Sequence, residues 1–323
     1  TDAVQSYGKI DTQVDEIGCE FLTLSAHKIN GPKGAGALYW RGNTPWTPLN
    51  FGGGQERTLR AGTEGVHQIV GLGAAAQLAG QRMGSEYKRM IALRKRMIDG
   101  IKSLYSDVQF NEAGAGCQMP GTISATFPPL SGLSLLAGLD CHHVCVSIGS
   151  ACTADRVEPS HVILGMGMSE KHALSTIRIS MGSTTTNKDT GYFLWALKKS
   201  LKGDPEGLAF LPPEHLTRER VLSDETFLID LRMRYERLLS PSMPGAEQWA
   251  AIGFNKRIRQ IPRDKEVIMM CTTGIFSFKA GYQLANSGHP AVRVVYGGYA
   301  AWCAIFPDLL EELIASSGDK RID

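Results

Sequence analysis

Short apolar runs alternate with amphipathic stretches along most of the chain, and this alternation predicts an α/β fold. Residues 19–25 and 36–40 are apolar runs that end in turn residues, so we expect strands there. From residue 66 to about residue 81, and again over 87–104, apolar residues recur at helical spacing, which predicts two amphipathic helices. The apolar run 144–146 predicts a further strand.

A second α/β pattern fills the last third of the chain. Residues 227–230, 267–270 and 292–295 have the composition of strands. A helix predicted over residues 277–287 joins the last two of them. The pattern therefore predicts a parallel strand–helix–strand unit with Cys271 at its first turn.

Composition narrows the class of protein. The chain has 323 residues, of which 43% are hydrophobic and 20% charged, enough to bury the cores of two domains. Lysine plus arginine (34) nearly balances aspartate plus glutamate (32), which gives no case for a nucleic-acid or membrane partner. No apolar run reaches the roughly 18 residues of a spanning helix, and the first residues lack a signal-peptide pattern. Seven scattered cysteines fit reduced thiols, so we expect a cytoplasmic protein.

A lysine follows the first predicted strand at its carboxyl end, where open α/β sheets bind ligands. At such a position Lys28 could form an imine with a carbonyl compound. Asp2 ends what looks like the preceding strand, and a pyridoxal phosphate site needs a carboxylate beside the ring nitrogen. Gln5 could bind the ring oxygen, and Ser25 and His27 could donate to the phosphate. The spacing alone also fits a surface lysine beside an unrelated aspartate.

Five motifs in this region follow the order and spacing found in cysteine desulfurases. They are Asp2-Ala3-Val4-Gln5-Ser6, Ser25-Ala26-His27-Lys28, Gly31-Pro32-Lys33-Gly34, Gly52-Gly53-Gly54-Gln55-Glu56-Arg57 and Arg60-Ala61-Gly62-Thr63. Residues 1–200 therefore resemble these pyridoxal-phosphate enzymes of the class V aminotransferase fold. The resemblance implies that Lys28 binds the cofactor covalently. It also implies that Asp2 and Gln5 hold the cofactor ring, while Ser25 and His27 bind its phosphate.

The resemblance also implies a homodimer, because Thr63 would reach the phosphate bound by the partner subunit. Family members carry a long segment ahead of the position of Asp2. That segment includes a histidine that stacks on the ring and a threonine that binds the phosphate, and this chain contains neither. We therefore expect a cofactor pocket that is half-built until another segment completes it.

We expect the chain to have three parts, from this resemblance and from composition. Residues 1–200 are expected to form the pyridoxal-phosphate region, with a large-domain remnant over 1–85 and a small domain over 86–200. Residues 201–216, which contain two glycines, three prolines and a polar start, suit a linker. Residues 217–323 are expected to form a further α/β domain.

One cysteine lies on a small, polar stretch, Ser147-Ile148-Gly149-Ser150-Ala151-Cys152-Thr153. A thiol there can be exposed and reactive, although a small apolar residue in a turn has the same pattern. The stretch resembles the catalytic loop of iron–sulfur-type cysteine desulfurases, with Ile148 where a second serine is usual. The resemblance implies that Cys152 takes the sulfur of L-cysteine as a persulfide and leaves L-alanine. By the same resemblance, Arg178 would clamp the substrate carboxylate with two parallel hydrogen bonds.

A second cysteine, Cys271, follows a predicted strand and precedes a predicted helix. Backbone N–H groups in such a loop point inward, and the helix N-terminus adds positive potential. Both effects would stabilise a thiolate or a persulfide on Cys271. A buried cysteine that merely closes a strand fits the pattern equally well.

The surroundings of Cys271 resemble a rhodanese domain over roughly residues 217–313. The motifs that carry the resemblance are Phe227-Leu228-Ile229-Asp230-Leu231-Arg232, Met243-Pro244-Gly245-Ala246, the Cys271 loop and Tyr296-Gly297-Gly298-Tyr299-Ala300-Ala301-Trp302. Phe276 occupies a loop position where the family usually has arginine, and the usual histidine ahead of Pro-Gly-Ala is missing. The resemblance therefore implies weak thiosulfate binding and a persulfide from Cys152 as the donor.

The last candidate is a soft-metal site. On a strand, Cys141, His143 and Cys145 would point to one face, but no fourth ligand is evident in the sequence nearby, so we predict no metal.

The expected function is that of a cysteine desulfurase fused to a rhodanese domain. Its sulfur would go to protein acceptors such as an iron–sulfur scaffold or a sulfur carrier. A selenocysteine lyase and a non-catalytic remnant that binds a sulfur-relay partner are the alternatives.

Overall fold

The computed structural model describes residues 1–42, 44–112, 114, 118–149, 159–201 and 205–316. The backbone forms two compact units. The first consists of Thr1–Arg96, Ala113–Thr122 and Met181–Thr185, and the second of Met97–Glu112, Ile123–Ser180 and Thr186–Asp323. Among the helices that the structure describes, none is both long enough and apolar enough to cross a membrane.

Helices and strands both occur along the whole described chain, which confirms the predicted α/β class. The helices are α1 (Val14–Ile17), α2 (Val66–Leu104), α3 (Gly132–Asp140), α4 (His161–Gly165), α5 (Glu170–Leu174), α6 (Asn187–Ser200), α7 (Arg218–Val221), α8 (Arg234–Leu239), α9 (Ile275–Asn286), α10 (Gly298–Ile305) and α11 (Pro307–Ser316). The strands are β1 (Phe21–Ser25), β2 (Gly36–Trp40), β3 (Gln109–Phe110), β4 (Thr122–Thr126), β5 (Thr176–Ser180), β6 (Leu208–Leu211), β7 (Thr226–Asp230), β8 (Glu247–Gln248), β9 (Glu266–Met270) and β10 (Val292–Val295).

In the first unit, β1 and β2 pair in antiparallel fashion. The predicted strand over residues 36–40 is confirmed, and the one predicted over 19–25 begins two residues later, at Phe21. Asp2 joins β1 through a parallel bridge to Thr23. This bridge places Asp2 beside Thr23, two residues before the end of β1.

The two helices predicted over residues 66–81 and 87–104 are one continuous helix, α2, of 39 residues. The predicted break was wrong because residues 82–86 contain no proline and a single glycine, Gly84. A glycine inside a helix costs about 1 kcal/mol relative to alanine, which the good helix formers around it offset. Proline, which removes a backbone donor and clashes with the preceding turn, would have been needed to end the helix.

The prediction of a strand over residues 144–146 was wrong, because this segment forms no strand. A turn over residues 141–143 precedes this segment, and His143 has a positive φ of 55°. The chain meets β5 one residue later, where the backbone of Ser147 exchanges two hydrogen bonds with that of Arg178. The premise that three potential metal ligands share one face of a strand therefore fails.

The last third of the chain contains a parallel sheet with the strand order β6-β10-β9-β7-β8. Alternate residues of its central strands enter two different cores. Ile229 and Met269 lie in one buried cluster, and Leu228 and Ile268 lie in another. Helix α9 connects β9 to β10, so the predicted strand–helix–strand unit with Cys271 at its first turn is confirmed.

Candidate active site

Lys28 lies in a short 3-10 turn, Ala26–Ile29, directly after β1. The side chains of Ala26 and Ile29 are buried and fix this turn, whereas Lys28 is exposed. Lys28 lines a cavity of about 390 Å³ within the first unit, which is in the size range of small-molecule sites. Lys9 and Arg82 line the same cavity, so its wall is rich in positive charge.

The acidic residue of this wall, Glu86, is neutralised by a neighbour. Both of its carboxylate oxygens accept hydrogen bonds from Arg89, one turn along α2, at 2.8–3.2 Å. These bonds hold the pKa of Glu86 below its ordinary value. The carboxylate therefore stays ionised and paired, and the cavity remains suited to an anionic ligand.

Lys9 is a cavity residue that the sequence did not single out. Its amine donates to Oε1 of Gln5 at 3.4 Å. Burial, and after it the positive charge of Lys28, lowers the pKa of Lys9, so the two amines interact electrostatically. The available signal was the four-residue spacing of Gln5 and Lys9 in a helix-like turn, because residues four apart share a face.

Asp2, Ser25 and His27 surround the carboxyl end of β1. Oδ1 of Asp2 accepts a hydrogen bond from the backbone N–H of Val4 at 2.8 Å and another from the hydroxyl of Thr23 at 3.4 Å. Oγ of Ser25 lies 2.7 Å from Nδ1 of His27. Since side chains two apart on a strand point to one face, the Asp2 carboxylate and the Ser25 hydroxyl lie on the same side of β1.

The described contacts do not bring every predicted site residue together. Thr63 is exposed in the first unit, and in the described part of the chain no hydrogen bond joins it to Lys28. Arg178 is half-buried on β5 in the second unit. Cys152 lies outside the described residues.

The donor set of the first unit fits pyridoxal phosphate. Lys28 offers an amine that can bind a carbonyl carbon, and Asp2 offers a fixed carboxylate for a protonated ring nitrogen. Ser25 and His27 offer hydrogen-bond donors to a phosphate. All four side chains are exposed or half-buried, so a ligand can reach them.

The second site is built around Cys271, whose side chain is 2% exposed. Its Sγ atom accepts hydrogen bonds from the backbone N–H of Gly274 at 3.2 Å and of Ser277 at 3.4 Å, and from the Ser277 hydroxyl at 3.5 Å. The predicted inward-pointing N–H groups are therefore present. They come from the loop and the first turn of α9, where the helix dipole also favours negative charge on sulfur.

Close backbone packing holds this loop in place. The carbonyl oxygen of Cys271 accepts a hydrogen bond from the backbone N–H of Tyr299, and that of Thr272 accepts one from the backbone N–H of Ala300, both at the start of α10. Gly298 has a positive φ of 66°, and a Cβ atom there would lie 2.3 Å from the carbonyl oxygen of Cys271. Glycine is thus required for α10 to approach the loop this closely.

A buried ion pair supports the same region. Arg232 donates to both carboxylate oxygens of Asp230 at 2.8–3.1 Å, and the Ser242 hydroxyl donates to Asp230 at 2.6 Å. Burial raises the pKa of Asp230, but the hydrogen bonds from Arg232 and Ser242 outweigh it, so the pKa lies below its ordinary value. The Arg232 guanidinium also lies 3.5 Å above the centroid of the Tyr299 ring. Ser242, in the segment that lacks the family's histidine, thus helps hold the ion pair.

The rim of the Cys271 loop carries an acid and an aromatic side chain. The hydroxyl of Thr272 donates to Oε1 of Glu236 on α8 at 2.5 Å. Phe276, in the first turn of α9, is 53% exposed. The rim therefore offers negative charge and apolar surface to an incoming sulfur compound. Glu236 could not be found from the sequence, because 36 residues separate it from Thr272.

Two family models match the chain. The aminotransferase class-V model matches residues 1–193, and the rhodanese-like domain model matches residues 217–305. The first covers more than half of the chain, and together they agree with the two resemblances seen in the motifs.

Curated relatives and solved structures resemble the first of these regions. A cysteine desulfurase IscS from Dictyoglomus turgidum is 42% identical over 202 residues, which are 62% of this chain and 51% of the relative. One from Aeromonas hydrophila is 41% identical over 203 residues, 62% of this chain and 49% of the relative. The X-ray structure of a NifS-like protein from Rickettsia africae ESF-5 is 34% identical with a TM-score of 0.56, and the match covers 62% of this chain and 52% of that one. The chain spans about half the length of the curated relatives it matches.

Proposed function

The chain belongs to the class V aminotransferase family, and from this membership we propose that it is a pyridoxal-phosphate-dependent cysteine desulfurase that passes sulfur to its rhodanese-like domain. The observation that carries the proposal is the presence, in one chain, of two complementary sites. One is an exposed lysine in the turn directly after β1, where the carboxylate of Asp2 is held by Thr23 of the same strand, and the other is a thiol surrounded by N–H donors. The similarity to proteins named cysteine desulfurase supports the choice of substrate.

In the proposed reaction, Lys28 holds the cofactor and then acts as the base. When bound, pyridoxal phosphate supplies an electron sink for the substrate. The carboxylate of Asp2 would keep the ring nitrogen protonated, and Ser25 and His27 would hold the phosphate. As a free amine, Lys28 would act as the base that removes the proton from the substrate Cα.

Cys152 is the proposed sulfur acceptor. Its thiolate attacks the sulfur of the substrate, so that a sulfur–sulfur bond forms while the bond between Cβ and sulfur breaks. Cβ takes up a proton, which yields L-alanine and a persulfide on Cys152. Arg178 binds the substrate carboxylate during this step, because a guanidinium can make two parallel hydrogen bonds to it.

Cys271 is the proposed second carrier. Its thiolate attacks the outer sulfur of the Cys152 persulfide, the sulfur–sulfur bond of the donor breaks, and Cys152 leaves as a thiolate. The exchange needs no oxidant, because one sulfur–sulfur bond replaces another. The N–H groups of Gly274 and Ser277 stabilise the negative charge on the sulfur that arrives.

The remaining parts of the proposal concern assembly and destination. We expect a homodimer in which Thr63 binds the phosphate of the partner subunit. Protein acceptors, such as an iron–sulfur scaffold or a sulfur carrier, would receive the sulfur in the cytoplasm. The exposed Phe276 favours a protein-bound persulfide over small anions as the donor to Cys271.

Mass spectrometry after brief exposure to L-cysteine tests the relay. The chain purified with pyridoxal phosphate should form L-alanine and carry persulfide on both Cys152 and Cys271. Cys152→Ala removes the first acceptor thiol, so the persulfide on Cys271 should also be lost, while the absorbance of the bound cofactor stays intact. A chain that never takes up pyridoxal phosphate would indicate a non-catalytic remnant, and faster turnover of selenocysteine than of cysteine would indicate a selenocysteine lyase.

A further inference from the structure

Helices from the two matched regions pack against each other inside the second unit. Helix α3 lies in the region matched by the aminotransferase class-V model, and α9 lies in the rhodanese-like region. Leu133 and Ala137 of α3 share a buried cluster with Phe278 and Tyr282 of α9. At the end of α3, Asp140 forms an ion pair with Lys279 of α9.

The start of α9 belongs to the Cys271 site as well as to this interface. Ser277 and the preceding Gly274 donate to the sulfur of Cys271. Ile275 and Phe278, which alternate with those donors along the chain, pack into the cluster shared with α3. A displacement of α9 away from α3 would therefore also move the N–H groups that hold the sulfur.

Gly138 lies where α3 packs closely against α6 and, less closely, against α9. A Cβ atom at this position would lie 2.8 Å from Cβ of Ser200 on α6 and 3.1 Å from the hydroxyl oxygen of Tyr282 on α9. Both distances are shorter than ordinary van der Waals contact. A methyl group at Gly138 would therefore require Ser200 or α3 to shift, and would press on the Tyr282 hydroxyl as well.

We propose that α3 is a positioning element of the Cys271 site, so that the aminotransferase part of the chain holds the donors that stabilise sulfur on the rhodanese-like domain. Gly138 and the Asp140–Lys279 pair are its positioning residues. The inference rests on the proposed function in one respect, namely that Cys271 carries a persulfide. If α3 holds the donors in place, the lifetime of the persulfide on Cys271 depends on residues that do not contact Cys271.

Inorganic polysulfide offers a way to load Cys271 without the desulfurase reaction. The Cys271 thiolate attacks a terminal sulfur of the polysulfide, so that a new sulfur–sulfur bond forms while one in the polysulfide breaks. The polysulfide leaves with one sulfur atom fewer, and the step needs no further reagent. After removal of excess polysulfide, peptide mass spectrometry of the full chain gives the persulfide half-life at Cys271. The persulfides on Cys145 and Cys19 in the same sample serve as internal references, because both thiols are free in the described structure.

Three variants and one control decide the matter. Gly138→Ala and Lys279→Glu should each shorten the persulfide half-life at Cys271 at least fivefold, with the references unchanged. Adding Asp140→Lys to Lys279→Glu restores the ion pair with reversed charges and should bring the half-life back to within twofold of wild type. Gly84→Ala is the matched control, since a Cβ atom there on α2 would meet nothing within 4 Å.

Gly138→Ala also separates positioning from helix stability, because alanine normally stabilises a helix relative to glycine. A shorter persulfide lifetime would then be opposite to the effect on the helix alone. The proposal is overturned if the half-life at Cys271 stays within twofold of wild type in both Gly138→Ala and Lys279→Glu, or changes only in parallel with the references. A wild-type chain that holds no persulfide on Cys271 would instead contradict the proposed function.

Discussion

The carboxylate of Glu236 accepts a hydrogen bond from the hydroxyl of Thr272 at 2.5 Å and so places a negative charge at the rim of the Cys271 loop. Anionic sulfur donors must approach against this charge. We predict that Glu236→Gln raises kcat/KM for thiosulfate about threefold, since removing one charge near a partly exposed site changes binding by about 0.5–1 kcal/mol. The glutamine oxygen can still accept from Thr272. Cyanide-dependent thiocyanate formation measures the effect, and unchanged or slower turnover of thiosulfate would contradict the prediction.

Phe276 offers a complementary change at the same rim. Phe276→Arg introduces the cation that rhodanese loops usually carry, in a side chain that is already 53% exposed. A hydrogen bond to a charged group contributes about 1.5–3 kcal/mol, so kcat/KM for thiosulfate should rise about tenfold or more. Phe276→Leu is the control and should not raise it. An equal gain with leucine would mean that the bulk of the phenyl ring, and not the missing charge, limits thiosulfate.

The buried pair of Asp230 and Arg232 makes stability depend on pH. Because the pKa of Asp230 is lowered by folding, its contribution is complete above the unfolded value of about 4 and is lost as the pH falls through the folded value. Asp230→Asn should lower the free energy of unfolding at neutral pH by about 3 kcal/mol, because it leaves Arg232 buried without its counter-charge. It should also flatten the decline in the free energy of unfolding as the pH falls below about 4. Urea unfolding at several pH values measures both, and an acid decline equally steep in the variant would refute the assignment to Asp230.

Local pattern was enough for much of the fold and failed where tertiary context decides. The strand over residues 36–40 and the strand–helix–strand unit around Cys271 were predictable, because alternation and turn residues act over a few positions. The continuous helix α2 was not, since the helical spacing on either side of Gly84 does not show whether the chain pauses there. Residues 144–146 have strand composition, but they follow a turn at His143 and do not pair with a strand. Pairing with β5 begins only at Ser147, opposite Arg178.

The candidate sites divide in the same way. Lys28 and Cys271 could be singled out because each directly follows a strand, where ligands bind in α/β folds. The place of Lys9 in the cavity with Lys28 has only a weak local signal, its four-residue spacing from Gln5. Glu236 became visible only through its contact with Thr272, which is distant in sequence, so no local pattern encodes that contact.

Lys28 can be tested against a lysine in the same motif region. Lys28→Ala should abolish both the visible absorbance of bound pyridoxal phosphate and the formation of L-alanine from L-cysteine, because the proposed site binds the cofactor carbonyl covalently through the amine of Lys28. Lys33→Ala is the matched control: Lys33 is also exposed, lies five residues further along the chain, and does not line the described cavity. Absorbance spectra and alanine assays on both variants give the comparison. If Lys33→Ala lost the absorbance and Lys28→Ala retained it, the covalent role would belong to a different lysine and the site around Asp2 would have to be abandoned.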